Sequence, residues 1–169
     1  MKLETAKAIA EKYVGLLKPF CERIEIAGSI RRDRQDVGDI ELVCIPKSTT
    51  VEDNIFDSVE VRDPGFINMV NSFYRVKGDG TGKYVQVKLH EEINLDLFIT
   101  TREQWGVVFM LRTGSAMFSN RMAHEIKPRF YCDGGFLKIK TGEVVPCYEE
   151  EDFFRITGTH YVEPFARVV

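Results

Sequence analysis

The sequence predicts an α+β protein in which a mixed β-sheet with flanking helices is followed by a small α+β module. Helical and strand patterns are interspersed over roughly the first hundred residues, whereas two helical patterns precede short strands in the remainder. Hydrophobic side chains make up 44% of the 169 residues, which suffices for a sizeable core. We place the first unit at residues 1–105 and the second at residues 106–169.

The first unit begins with a helix, a strand and a turn. Residues 4–19 carry apolar side chains at helical spacing, and the pattern ends at a proline. Residues 23–27 alternate as a short strand, after which Gly28 and Ser29 turn the chain into a short helix. Residues 39–45 are mainly apolar or β-branched, which indicates a buried strand.

The rest of the first unit is predicted to be a helix and a hairpin. Residues 64–73 are expected to be helical, with a proline in the first turn. Residues 84–89 and 93–99 are expected to pair as an antiparallel hairpin. The glycine-rich residues 78–83 lack the GxxxxGK spacing of a P-loop and precede a strand, so we interpret them as a turn.

The second unit is predicted to begin with two helices. Residues 101–104, Thr-Arg-Glu-Gln, fit a capping box that opens a helix to about residue 111. A second helix is expected over residues 115–126. The remaining elements are three short strands and a helix, near residues 130, 136 and 144 and over residues 149–156.

Composition and charge argue against several classes of protein. No apolar run is long enough for a transmembrane helix, and the first residues lack the hydrophobic region of a signal peptide. The four cysteines stand singly, which argues against structural zinc or a disulfide framework and fits a reducing cytoplasm. The net charge of −3 argues mildly against a strong nucleic-acid binder. Residues 101–140 carry seven basic and three acidic side chains, which on charge alone fits a solvated helical face.

Two acidic residues on one predicted strand give the strongest functional signal. Asp39 and Glu41 lie two residues apart, so both side chains point to the same face. Asp96, flanked by Leu95 and Leu97 on the predicted hairpin, supplies a third acid. Three carboxylates facing one space can hold two Mg²⁺ ions for phosphoryl transfer. Without metal, their repulsion is expected to raise the pKa of at least one of them.

A glycine–serine turn precedes the acidic pair and predicts phosphate binding. Gly28 permits close backbone approach, and Ser29 opens a short helix whose N–H groups favour phosphate. Gly38, just before the acidic pair, leaves room for a ligand. Positive charge is added by three arginines, Arg31, Arg32 and Arg34.

Together these motifs resemble the polymerase-β-like nucleotidyltransferases, and in detail DNA polymerase family X. The resemblance covers most of the chain. It is carried by GSIRR and GDIE (28–32 and 38–41), LDLF (95–98), WGVVFMLRTGSAMFSNRM (105–122) and EEEDFFRITGTHYVEPFAR (149–167). It implies a nucleotidyltransferase palm over residues 1–105 and a small thumb over residues 106–169, a minimal form similar to some viral members.

The resemblance also implies roles for individual residues. Asp39 and Glu41 would bridge two Mg²⁺ ions, for which Mn²⁺ could substitute, and Asp96 would bind the catalytic ion and help activate the primer 3′-hydroxyl. The phosphates of the nucleotide would be held by Gly28, Ser29, Arg32 and Gly38. The sugar and base would lie against Leu111, Arg112, Gly114, Ser115 and Ser119.

Some positions depart from the family pattern. The family usually has Asp at the position of Glu41, an aromatic pair at Leu111-Arg112 and Asn at Ser119. Neither Leu111 nor Arg112 packs as firmly as an aromatic ring, so we expect weak discrimination between ribo- and deoxyribonucleotides. The family also implies a cis peptide bond between Gly114 and Ser115.

The expected function is Mg²⁺-dependent nucleotidyl transfer that extends a DNA primer and releases pyrophosphate. The expected partners are a nucleoside triphosphate and gapped or primer–template DNA, and we expect a cytoplasmic monomer that does not associate with membranes. One alternative is a transferase that modifies tRNA, a protein or a small molecule, which the acidic charge favours. Another is a nucleotide- or nucleic-acid-binding module with weak catalysis, against which the presence of all three carboxylates argues.

Overall fold

A five-stranded mixed sheet with flanking helices is the largest part of the computed structural model, which describes residues 1–52 and 58–168. Within these residues a three-stranded sheet and a two-stranded ribbon are also present. The α+β fold class and the mixed sheet predicted from the sequence are therefore confirmed.

The predicted helices and strands are present in the predicted order, and three short strands between residues 48 and 77 were not predicted. The first elements are α1 (Leu3–Leu17), β1 (Cys21–Ile26), α2 (Gly28–Arg31), β2 (Asp39–Pro46), β3 (Ser48–Glu52), β4 (Ser58–Arg62), α3 (Pro64–Ser72), β5 (Arg75–Lys77), β6 (Tyr84–Lys88) and β7 (Asn94–Ile99). The later elements, called the C-terminal unit below, are α4 (Trp105–Thr113), α5 (Ala116–Ile126), β8 (Phe130–Asp133), β9 (Phe136–Ile139), β10 (Val144–Val145) and α6 (Glu150–Thr157). A 3₁₀ turn, Lys18–Phe20, follows α1, and a second, Pro164–Ala166, is the last described element. None of the helices that the structure describes has the length and apolar character needed to cross a lipid bilayer.

The main sheet has the strand order β1-β2-β7-β6-β5. β2 and β7 run parallel, whereas the other neighbours run antiparallel. β6 and β7 form the predicted hairpin, with Tyr84 opposite Phe98. Residues 78–83 connect β5 to β6, as the turn interpretation requires. The parallel pair is thus brought together by a long connection rather than by a local turn.

The two faces of the sheet have different neighbours. Leu42, Leu95 and Leu97 are fully buried on the face that packs against α1 and α3. On the opposite face, Val43 and Phe98 form a smaller cluster with aromatic side chains of α4. Because strand side chains alternate, the residues that share a face with Val43 and Phe98 lie on the α4 side of the sheet.

The C-terminal unit has a core of its own, which α4 shares. Its fully buried members come from α4, α5, β9, α6 and the segment before α6, and they include Val107, Met110, Phe118, Leu137, Cys147 and Phe153. The opposite side of α4 contributes Trp105 and Phe109 to the cluster on the sheet. One helix therefore connects the two parts of the molecule through apolar contacts on both of its sides.

The predicted capping box at residues 101–104 is wrong. The N-cap of α4 is Gln104, and its side chain does not cap a backbone N–H. The carbonyl of Thr101 accepts a bond from the N–H of Gln104 (3.3 Å), while the Gln104 amide donates to the carbonyl of Gly134 (3.0 Å). A tertiary contact has replaced the local cap, because the side chain that would have completed the box is used elsewhere.

The contact of α4 with the chain before α6 gives a stability prediction. A methyl group on Gly106 would lie 2.1 Å from the carbonyl oxygen of Glu149, so Gly106→Ala should lower the free energy of unfolding by about 1–3 kcal/mol. Gly15→Ala is the control, because this exposed glycine of α1 has no neighbour within 4 Å of the added carbon. The control should be as stable as the wild type or gain up to about 1 kcal/mol. Urea unfolding measures both, and equal stability of the two variants would contradict the tight contact.

Candidate active site

The three predicted catalytic acids lie on one face of two adjacent strands. The register of β2 and β7 places Glu41 opposite Asp96 and Asp39 opposite Asn94. Ile40, between the first two acids, points into the core on the other face. All three carboxylates are partly buried on the α4 side of the sheet. The common face predicted from the i, i+2 spacing is therefore present.

Burial and mutual repulsion raise the pKa of two of these carboxyl groups. Burial raises the pKa of Glu41 from 4.5 to about 7; the charge of Asp39 adds to this, and the Arg32 guanidinium opposes it. Burial also raises the pKa of Asp39, and the charge of Asp96 adds to it. The predicted direction is confirmed, although burial is a larger cause than repulsion.

The three carboxylates do not surround a common position at which one metal ion could bind. Among residues 1–52 and 58–168, no three acidic, histidine or cysteine side chains form a group that could hold one metal ion. Oδ1 of Asp96 accepts hydrogen bonds from the Tyr84 hydroxyl and the Gln86 side-chain amide, both at 2.9 Å, which hold this carboxylate against the sheet. The like charges also favour separation. The predicted convergence on one metal-sized space is therefore not formed here.

Gly28 lies directly against one of the acids. Its φ of +61° suits glycine, and a Cβ atom at this position would lie 1.9 Å from Oε2 of Glu41. The glycine thus allows the start of α2 to approach the carboxylate. The neighbour of Gly28 in this structure is a protein carboxylate, and the close approach to a phosphate stays a prediction.

Two polar atoms at the α2 end of the site are buried without a hydrogen-bond partner among the described residues. They are Oγ of Ser29 and Nε of Arg32. Nη1 of Arg32 donates to the carbonyl of Thr113 at 2.6 Å, which fixes the guanidinium next to Glu41. Unsatisfied buried donors are costly, and a ligand with oxygen acceptors would satisfy them.

The other residues predicted to bind phosphate are placed differently. Gly38 is exposed, and a Cβ atom there would meet nothing within 4 Å, so open space adjoins it as predicted. Arg31 turns away from the acids and makes a bidentate ion pair with Glu150 at 2.8 and 2.9 Å. It also donates to the Thr113 hydroxyl at 2.7 Å. The expectation that Arg31 adds charge to the phosphate site is wrong, because this buried acid, 119 residues away in the chain, engages it.

The five residues predicted to surround the sugar and base lie together. They line a cleft of about 390 Å³ with Arg32 and Glu41, and they are Leu111, Arg112, Gly114, Ser115 and Ser119. The Ser119 hydroxyl donates to the carbonyl of Leu111 at 2.9 Å, so it supports the cleft wall. The guanidinium of Arg112 stacks 4.0 Å from the centre of the Phe98 ring.

The peptide bond between Gly114 and Ser115 is trans, so the expected cis bond is wrong; the peptide bonds of the described residues include no cis bond. Both residues have extended backbone angles, with Ser115 as the N-cap of α5. The N–H of Ser115 donates to the carbonyl of Arg167 at 3.0 Å. These contacts are satisfied by the ordinary trans geometry, which avoids the cost of a non-proline cis bond.

Sequence reasoning missed several residues that hold the site in place. Tyr84 and Gln86 bind Asp96, and their alternation opposite Phe98 and Asp96 in the predicted hairpin was a usable signal. Glu150 lies in the first turn of α6, and nothing in its local sequence indicates that it pairs with Arg31. Comparison with known proteins adds no assignment: no protein-family model matches the chain, and no curated protein matches it significantly.

The raised pKa of Glu41 predicts how stability depends on pH. A carboxyl group with a higher pKa in the folded state holds its proton more tightly when folded. Its stabilising contribution is therefore complete below about pH 4.5 and is lost as the pH rises through about 7. The contribution lost corresponds to about 3 kcal/mol. Urea unfolding in EDTA at a series of pH values measures it.

The contribution of Glu41 is isolated by a difference between variants. Glu41→Gln should remove this dependence, so that its stability relative to the wild type increases from pH 5 to pH 8 by about that amount. Glu11→Gln, on the exposed surface of α1, should follow the wild-type curve. Parallel curves for Glu41→Gln and the wild type would contradict the assignment.

Proposed function

We propose that this protein transfers a nucleotidyl group from a nucleoside triphosphate to a hydroxyl group, with the 3′-hydroxyl of a DNA primer as acceptor. The observation that carries the proposal is that two complementary sets of groups lie near each other, since Gly28 of α2 adjoins Glu41 and the charge of Arg32 acts on Glu41. Acids of β2 and β7 lie on one side, and the unpartnered donors of Ser29 and Arg32 lie on the other. A triphosphate that brings a divalent cation requires both sets.

Asp39, Glu41 and Asp96 are the residues that would hold Mg²⁺. Their carboxylate oxygens are the ligands that Mg²⁺ prefers. The pKa of Glu41 is near 7, and a nearby cation would stabilise the ionised form of this carboxyl group. When bound, Mg²⁺ neutralises the triphosphate and stabilises the charge that develops during transfer. Mn²⁺ has the same preference for oxygen ligands.

The protein's own groups serve both ends of the transfer. The acceptor oxygen forms a bond to the α-phosphorus, the bond from that phosphorus to pyrophosphate breaks, and the acceptor proton passes to a carboxylate. Asp96 suits this role because Tyr84 and Gln86 engage its Oδ1, while Oδ2 accepts no hydrogen bond from the described residues. Ser29 and Arg32 would donate to the departing pyrophosphate.

The finer assignment is DNA polymerase of the family X type. A mixed sheet with acids on its parallel strand pair fits a nucleotidyltransferase palm, and the C-terminal unit fits a small thumb. The segments GSIRR, GDIE and LDLF lie at α2, at the start of β2 and in β7, and this arrangement supports the assignment. Gapped or primer–template DNA is accordingly the proposed substrate, and repair synthesis is the proposed role.

A primer-extension assay tests the function. Purified protein with Mg²⁺, gapped DNA and deoxynucleoside triphosphates should lengthen the primer and release one pyrophosphate per nucleotide. Asp96→Asn should lower the rate by about 10²–10⁴-fold, because the acceptor proton loses its base, while nucleotide affinity changes little. Asp36→Asn, an exposed acid of a nearby loop, is the control and should retain wild-type activity.

The outcomes of this assay separate the alternatives. Pyrophosphate release on addition of tRNA, a protein or a small alcohol, without primer extension, would replace DNA by that acceptor. Absence of pyrophosphate release with every acceptor, together with nucleotide binding, would leave a binding module. Wild-type activity in Asp96→Asn would contradict the role given to Asp96.

Sugar selectivity gives a further prediction. Ser119 fixes the backbone of Leu111, and Phe98 supports Arg112, but none of the described residues that line this cleft is aromatic. A pocket that merely meets an added hydroxyl rejects it by only about a hundredfold, so the preference for deoxyribonucleotides should stay below about a thousandfold. Replacing Leu111 and Arg112 with Tyr and Phe should increase it. Single-nucleotide insertion kinetics measure this, and a wild-type preference far above a thousandfold would contradict the prediction.

A further inference from the structure

Arg112, near the C-terminal end of α4, lies between two clefts that share one of the acids. The smaller cleft, of about 390 Å³, is the predicted pocket for the sugar and base, and a larger one of about 760 Å³ adjoins it. Glu41 and Arg112 line both clefts, whereas Asp96 lines the larger one. The exposed side chain of Arg112 therefore stands at the boundary between the two spaces, beside the acids.

An aromatic ring supports the guanidinium of Arg112 in this position. The central carbon of the guanidinium lies 4.0 Å from the centre of the Phe98 ring. Phe98 follows Asp96 by two residues on β7, so both side chains lie on the same face of the strand. The ring stacks in turn on Tyr84, with the centres 5.2 Å apart, and the Tyr84 hydroxyl donates to Asp96. The cation thus rests on a ring that is itself held next to the acid.

The charge of Arg112 acts on the acids although it makes no ion pair with any residue that the structure describes. Burial raises the pKa of Glu41 most, and the charges of Arg32 and Arg112 oppose that rise. Arg32 is tied to the carbonyl of Thr113 at 2.6 Å, whereas Arg112 is supported by stacking. Arg112 is therefore a positive charge that stabilises the ionised acids without occupying their oxygen atoms.

A fixed positive charge at this position has opposite effects on a cation and on an anion that approach the acids. It repels a divalent cation, and the two charges of that ion double the repulsion relative to a monovalent one. It attracts the phosphates of a nucleotide, which carry the opposite charge. The same guanidinium therefore disfavours a metal ion that arrives alone and favours a triphosphate that arrives alone.

We propose that Arg112 controls the order in which the site is loaded: it keeps divalent cations off Asp39, Glu41 and Asp96 until a nucleotide is bound, whose phosphate charge then offsets that of the guanidinium. The part given to the nucleotide rests on the proposed function. Arg112 acts here through its charge and is not a catalytic residue. The family pattern has an aromatic residue at this position, so this control does not follow from the resemblance.

Binding of Mn²⁺ alone and of a triphosphate alone tests this without catalysis. The electron paramagnetic resonance signal of free Mn²⁺ measures the first, and the anisotropy of a fluorescent deoxynucleoside triphosphate in EDTA measures the second. At about 0.1 M salt, Arg112→Gln should tighten Mn²⁺ binding about threefold or more and weaken triphosphate binding about threefold or more. Both changes should shrink at about 1 M salt, where charges are screened over about 3 Å.

Two control variants separate charge from other effects. Arg112→Lys keeps the charge and should stay within about twofold of the wild type for both ligands. Arg121→Gln removes an exposed arginine of α5 that lines neither cleft, and it should also match the wild type. A change that merely disturbed the fold would weaken both ligands, so the opposite directions expected for Arg112→Gln identify a charge effect.

The outcomes distinguish this inference from the proposed function. Unchanged Mn²⁺ binding in Arg112→Gln, weaker binding of both ligands, or an Arg112→Lys variant that behaves like Arg112→Gln would overturn the control by Arg112. Mn²⁺ binding that is absent from the wild type and the variants, or unaffected by Asp39→Asn, would contradict the metal site of the proposed function and this inference with it. The expected shifts without nucleotidyl transfer would contradict only the proposed function.

Discussion

The parallel pairing of β2 with β7 is the constraint on which the whole site depends. It places Glu41 opposite Asp96, and the fully buried Ile40 and Leu95 fix that register from the other face of the sheet. Because side chains alternate along a strand, a slip of one residue would bury an acid and expose a leucine. Packing of the core therefore determines the face of the sheet on which the carboxylates lie. The partial burial of Glu41 on that face is also the main reason for its raised pKa.

A buried ion-pair network connects this sheet to the C-terminal unit. Glu150 is only 3% exposed and pairs with Arg31 of α2 and with the fully buried Arg167. Arg31 and Arg32 both bind Thr113, which precedes the turn that lines the smaller cleft. Loss of one partner would leave a buried charge uncompensated, which costs more than the intact pair contributes. The phosphate end and the sugar end of the site are thus held by the same few side chains.

Local patterns in the sequence were sufficient for most of the fold and for part of the site. The helices and the hairpin follow from periodicity, and the common face of Asp39 and Glu41 follows from their spacing. The local pattern did not indicate that β2 and β7 are neighbours, and only Asp96, an acid in an apolar strand, suggested it. The partners of Arg31 and Gln104 could not be predicted, because each partner lies far away in the chain. The local sequence instead suggested a phosphate ligand for Arg31 and a helix cap for Gln104. A cleft of about 760 Å³ beside Asp96 was missed for the same reason, since its walls come from six segments: β2, β5, β6, β7, α4 and the turn between β8 and β9.

The position of α4 between two cores has a consequence for fragments of this protein. Trp105 and Phe109 cover Val43 and Phe98 on the sheet, while the other side of the helix packs into the C-terminal unit. Removal of that unit would expose a contiguous apolar surface on the sheet, of the kind that drives association in solution. A shortened chain is therefore expected to aggregate during expression, and the two parts are expected to melt together in one cooperative transition.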